Sequence, residues 1–145
     1  VIKKKVLKYI LIISLILVIA FVLLNEYCML GYLESYGFGI KELPRTNLVF
    51  LGISKGFTVS SDEDWTTFIG RHDYIYEDLM EKNGYYECDR MGEAGFYSKI
   101  GEERTNEFDH DFCIVSKNDW CFWFRVYSIN NGYRIEDFLG DEAMN

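Results

Sequence analysis

Proline is nearly absent from this chain, with Pro44 the only one, and histidine occurs twice, as His72 and His110. The first scarcity excludes a Pro-rich linker, and without an internal repeat or low-complexity run nothing divides the polar part into further domains. The second limits metal chemistry. No C-x-x-C is present and neither histidine stands at finger-like spacing from a cysteine pair, so no metal or other cofactor is expected. A nucleophile elbow, a Gly-rich phosphate loop and calcium-loop spacing are also missing, which counts against an enzyme.

Positive charge is scarce in one part of the chain only. The net charge is −8, yet residues 1–24 carry four lysines and no acid, so the remainder holds eleven Lys and Arg against twenty-three Asp and Glu, or −12. Such a segment repels nucleic acid and anionic headgroups, and no nucleic-acid partner is expected. Solubility alone is a sufficient account of the acidity, with basic partners or cations the charge-compatible ligands.

What the chain does have is a long apolar run, Val6 to Leu24, broken only by Lys8, Tyr9 and Ser14. As a helix it reaches about 28 Å, close to the ~30 Å hydrocarbon thickness of a bilayer. A cleaved signal has a shorter core and a small-x-small site, whereas here Phe21 to Leu24 runs on into Asn25-Glu26-Tyr27; an uncleaved anchor is expected. The same bulky residues before Cys28 exclude a lipobox. Lys3, Lys4, Lys5 and Lys8 precede the run, and no basic residue follows it before Lys41. The positive-inside rule therefore puts the N-terminus in the cytoplasm and the rest outside the cell membrane. Lys8 can snorkel to the headgroups.

Residues 25–145 are of single-domain size, at about 120 residues, and are rich in aromatics. After the anchor, Tyr27, Leu30 and Leu33 keep helical spacing, with Gly37 and Gly39 as a stop. Leu48 to Ile53 reads as a strand, Gly56 as a turn and Phe57 to Val59 as a second strand. Ser61 followed by Asp62, Glu63 and Asp64 predicts the cap and first turn of a long helix. Its stripe is Trp65, Phe68, Ile69, His72, Ile75, Tyr76 and Leu79, with Gly70 a weak point and Gly84 the end. Beyond it the period drops to two. Tyr85 to Arg90, Phe96 to Ile100, Phe108 to Val115, Trp120 to Ile129 and, after the hairpin dipeptide Asn131-Gly132, Tyr133 to Phe138 read as an antiparallel meander.

Several constellations invite chemistry. Alternation along 120–129 puts Trp123, Arg125 and Tyr127 on one face, a platform for a glycan, peptide or protein partner if exposed and a second core face if covered. Asp109-His110-Asp111 resembles a metal cluster until alternation turns His110 away from the aspartates. Asp73, Glu77 and Glu81, joined by Asp78, form an acidic helix face best read as solvated. His72 falls on the apolar stripe. All four cysteines follow the anchor, and outside the cell Cys88, Cys113 and Cys121 could enter disulfides, with Cys113 and Cys121 flanking a turn.

The expectation is α+β: a single transmembrane helix followed by a small extracytoplasmic domain, one long helix packed on an antiparallel meander of about four to six strands. Its expected role is binding or accessory, not catalysis. An assembly subunit using its anchor for helix–helix contact is the alternative, although Ser14 and Ala20 are its only small residues; a hydrolase would need His72 or His110 gathered with carboxylates in a pocket.

Overall fold

The computed structural model describes residues 2–103, 106, 108–117 and 121–140, with the side chains of Ile2, Asp73 and Tyr74 excepted. The chain divides into two compact units, Val1–Leu43 and Pro44–Asn145.

The first unit is dominated by α1, Ile2–Ser35, one unbroken helix of 34 residues, about 51 Å long. Lys3–Ser35 is long and apolar enough to cross a membrane, and its most apolar window has no buried side chain. The helix runs about three turns beyond Leu24. It ends at Gly37, at φ 79°. The N–H of Phe38 donates to the Leu33 carbonyl and that of Gly37 to the Glu34 carbonyl, both at 3.0 Å, the Schellman pair that needs a left-handed residue at this position.

In the second unit α2 spans Leu43–Phe50, so the strand expected over Leu48 to Ile53 is not formed. Pro44 presets a first helical turn, and the buried Thr46 and Val49 stand three apart, a helical spacing. Gly52, at φ 77°, repeats the stop seen after α1, with the N–H of Ile53 on the Leu48 carbonyl at 2.9 Å.

The predicted helix from Ser61 is a strand, a turn, a second strand and a shorter helix. β1, Gly56–Ser61, and β2, Trp65–Gly70, form an antiparallel hairpin, and Gly56 faces Gly70 across it instead of making a turn. The acids are the turn itself: Asp62 Oδ1 accepts the N–H of Asp64 at 3.0 Å and of Trp65 at 2.6 Å. An aspartate serving a turn and one capping a helix offer the same oxygen to the same backbone donors, so the sequence alone does not separate them. Helix α3, Asp73–Lys82, starts after the extended His72 and ends as expected before Gly84, at φ 83°.

β3, Tyr85–Met91, and β4, Ala94–Lys99, follow as a tight hairpin, then β5, Phe112–Ser116, and β6, Arg125–Asn130. The two later strands start further along than the alternation predicts; Trp120, first residue of the expected strand, lies outside the described residues. All six strands form one antiparallel sheet in the order β1-β2-β6-β5-β4-β3. The α+β class is thus as expected, but β6 sits between β5 and β2 in place of a simple meander. Asn131 and Gly132 both have positive φ, as a hairpin turn would require. Among the described residues no strand returns, because β2 and β5 already occupy both flanks of β6. The chain instead makes a helical turn, α4, Glu136–Leu139, burying Ile135, Phe138 and Leu139 at helical spacing.

The main core cluster lies on one face of the sheet, beneath α3 and α4, while the opposite face also buries Phe57, Ile69 and Val126. Phe68 stacks on Tyr127 at 5.1 Å, and Tyr76 of α3 meets both rings edge-first at 5.4 and 5.0 Å. A neighbouring group centres on Phe112, stacked on Tyr97 at 5.4 Å and touching Phe138 at 5.2 Å. Tyr76 donates its hydroxyl to the Lys55 carbonyl at 2.9 Å. The facing glycines leave room for it: a Cβ on Gly70 would stand 1.3 Å from that hydroxyl oxygen. Gly70 is therefore a seat for the tyrosine on the sheet, not a weak point in a helix.

At the sheet's outer edge Glu136 takes both the N–H and the hydroxyl of Thr58, the former at 2.8 Å. Burial pushes its carboxyl pKa up, but the bonds from Thr58 outweigh burial and hold it below the ordinary glutamate value.

Two outcomes follow for the full chain in lipid nanodiscs. Gly70→Ala should destabilise the second unit by about 1–3 kcal/mol or more through overpacking, against about 1 kcal/mol for Tyr76→Phe, measured by chemical denaturation. Because Glu136 has a lower pKa folded than unfolded, its contribution is present above the ordinary value of 4.5 and lost as pH falls through the folded value. Melting curves across that range should show a shallower acid decline in Glu136→Gln than in the wild type.

Candidate functional site

Register determines where a site can form. In the β2–β6 pair Gly70 faces Arg125, so the chain leaving β2 emerges beside the chain entering β6. The first supplies Arg71 and His72, the second Cys121 to Phe124, and Phe50 closes the third side from the end of α2. Together they enclose a cavity of about 250 Å³.

Its walls are aromatic and its floor is buried. Phe124 and Cys121 are 1% and 5% exposed, Trp123 is half-buried, and Phe122 stands 60% exposed at the rim. Phe122 meets Phe50 at 5.5 Å and Trp123 at 5.7 Å, which joins α2 to the loop before β6.

Arg71 is the cation of the site and the sole Lys or Arg between Lys55 and Lys82. Two features position it. Its carbonyl accepts the Tyr127 hydroxyl at 3.2 Å, tying its backbone to the core. Its guanidinium lies over Gly52, where a Cβ would come within 2.9 Å of Nη1. Among the described residues no carboxylate forms an ion pair with it. His72 immediately precedes α3, whose N-terminal end adds partial positive charge. A planar cation set among aromatic walls suits recognition of an anion carrying an apolar body.

The platform of Trp123, Arg125 and Tyr127 is not formed. Trp123 precedes β6, in the loop that lines the cavity, while Tyr127 is fully buried against Phe68. Arg125 and Tyr127 do alternate onto one face, but that face is the core face. His72 is likewise not on a helix stripe; it sits at the start of α3.

Asp109-His110-Asp111 lies in the loop before β5, not on a strand. Asp111 Oδ2 accepts the Lys99 N–H at 2.7 Å, while His110 Nδ1 lies 3.0 Å from the Phe108 carbonyl and its ring 4.7 Å from that of Phe96. Among the described residues no three His, Cys, Asp or Glu gather as metal ligands. Glu77, Asp78 and Glu81 are exposed, with Glu77 3.4 Å from Arg90; the Asp73 side chain lies outside the described residues.

None of the four cysteines is in a disulfide. Cys88 accepts the Ser98 hydroxyl at 3.3 Å, and burial raises the Cys113 thiol pKa. Cys113 donates its N–H to Asn130, at the far end of β6 from the loop holding Cys121. A strand of this length separates them by about 17 Å, whereas a disulfide needs Cα atoms within about 7 Å.

Arg71, Phe50 and Phe122 were not singled out by pattern, and His72 was weighed only as a member of a helix stripe. The available signal was a lone Arg-His pair, directly after a glycine, within an acidic stretch. Compared with protein-family models, with curated proteins and with solved structures, the chain matches none.

Gly52→Ala would place a side chain at φ 77° and against Arg71. The expected cost is about 1–2 kcal/mol, read by denaturation, with a displaced Arg71 side chain read by the ¹⁵Nε signal of that arginine.

Proposed function

We propose that this chain is a membrane-tethered binding domain, held by Val6 to Leu24 with its N-terminus in the cytoplasm and its second unit outside the cell, and that it takes a ligand in the cavity holding Trp123. The cavity carries the reading: a concave aromatic site with one positioned cation, built at the ends of the adjacent strands β2 and β6. The tether is supported by the length and apolarity of α1 and by lysines confined to its N-terminal end. The domain binds in this reading and performs no turnover. Its partners are the bilayer and a small ligand, free or displayed on a protein or glycan.

Two measurements test this. In intact cells a membrane-impermeant maleimide should label Glu63→Cys, at the exposed β1–β2 turn, and should label Lys4→Cys only after permeabilisation; the reverse pattern overturns the orientation. In nanodiscs, a panel of small acids, bases and neutral aromatics should include compounds that raise the melting temperature. Trp123→Ala, and the rim variant Phe122→Ala, should abolish that rise while the unliganded chain still melts cooperatively. Stabilisation indifferent to both variants would remove the cavity from the reading. No stabilisation at all, with recovery of another membrane protein that depends on native residues 6–24, would favour an assembly subunit.

A further inference from the structure

We infer that the cavity selects a small monocarboxylate with an aromatic or branched apolar body, its carboxylate on Arg71 and its body between Trp123 and the Phe50–Phe122 pair. This rests on the cavity being the binding site and adds the chemical class of its ligand.

Charge is the first argument. The segment after residue 24 has a net charge of −12, so a site with an inward cation stands out against its surroundings. A guanidinium presents two parallel N–H donors that match the two oxygens of a carboxylate, a fit that an ammonium cannot offer. One arginine balances one negative charge. A ligand with several charges would meet the repulsion of the surrounding acids with no second arginine or lysine among the described residues of the cavity wall to offset it. The start of α3 beside His72 adds to the preference for an anion at the same end.

Shape is the second. A cavity of about 250 Å³ exceeds the ~150 Å³ that suffices for benzene in an apolar protein cavity. The difference leaves room for a two- or three-carbon acid beyond one ring, but not for a lipid chain or an oligosaccharide. The walls favour the same body. Phe50, Trp123 and Phe124 offer flat apolar surface, while a polyol would need more polar side chains than Arg71 and His72, the charged or basic ones that the described residues contribute to the lining. Phe122 at the rim is exposed and rests on Phe50, so it can cover a ring once one is seated.

Positioning is the third. The absent Cβ of Gly52 gives the guanidinium a seat, and the bond from Tyr127 to the Arg71 carbonyl fixes the backbone that carries it. The cation is thus held on both sides before any ligand arrives, which lowers the ordering cost of binding.

The test is calorimetric titration of the full chain in nanodiscs, blanked against empty nanodiscs, with 3-phenylpropionate, its neutral amide and 3-phenylpropylamine. The acid should saturate one site, and the amide should bind at least about tenfold more weakly, as expected for loss of a charge-assisted pair. Arg71→Gln should weaken the acid by a similar factor and leave the amide unchanged, Arg71→Lys should fall between, and Trp123→Ala should weaken acid and amide alike. Inorganic phosphate should not compete with the acid. Equal binding of acid and amide, or an acid affinity indifferent to Arg71→Gln in a cooperatively melting protein, overturns the assignment. If the amide or the amine binds best and still depends on Trp123, the cavity remains a binding site and only the carboxylate class falls. If none of the three binds, the class falls, and the wider panel decides separately whether the cavity binds anything.

Discussion

The fold depends on one tyrosine lying close against two glycines of its sheet. Tyr76 belongs to α3, and its hydroxyl is bonded to Lys55, before β1, over the two glycines that face each other on β1 and β2. Its ring meanwhile presses on Phe68 and Tyr127, one from each of the neighbouring strands β2 and β6. Helix, hairpin and sheet centre are therefore held in register by a single side chain. Because the tyrosine fits only where neither facing residue carries a Cβ, a sliding of β1 against β2 would bring a side chain beneath it, so the contact favours one pairing among those that the strand pattern alone permits.

The same two strands generate the cavity. Once Phe68 faces Tyr127, Gly70 must face Arg125, and the links beyond them must lie side by side. The Tyr127 hydroxyl then reaches the Arg71 carbonyl, so the residue that completes the aromatic core also positions the cation of the site. Fold and site share their determinants here. Substitutions that loosen this stack would disturb the geometry of the cavity before they unfold the domain.

How much of this was legible depends on whether the deciding interaction is local. The apolar helix, the stops at Gly37 and Gly84, the β3–β4 hairpin and the α+β class all rest on near neighbours and read directly from the sequence. β2 does not. Trp65 to Gly70 carries apolar residues that fit a helical stripe as well as a strand, and only pairing with β6, far along the chain, decides between them. α4 is a different failure: Ile135, Phe138 and Leu139 do stand at helical spacing, but Asn131-Gly132 is so strong a hairpin signal that it masks them. Of the site, Trp123 was visible as an aromatic of consequence, though its supposed neighbour Tyr127 belongs to the core. Arg71 was invisible, since its role comes from Gly52 and the β2–β6 register and from nothing adjacent in sequence.

The position of β6 also governs when the domain can exist. It is the last of the six described strands in sequence and it lies inside the sheet, so β1 and β2 have no inner partner until β6 itself has been made. α4 comes later still, and its Glu136 bonds the outermost strand at Thr58. Folding that waits on such distant pairings is slow and leaves aromatic strands exposed meanwhile. The heavy excess of acid after residue 24 then acts on the unfolded segment as well as on the folded one, its mutual repulsion keeping the aromatic strands of separate chains apart until β6 is in place.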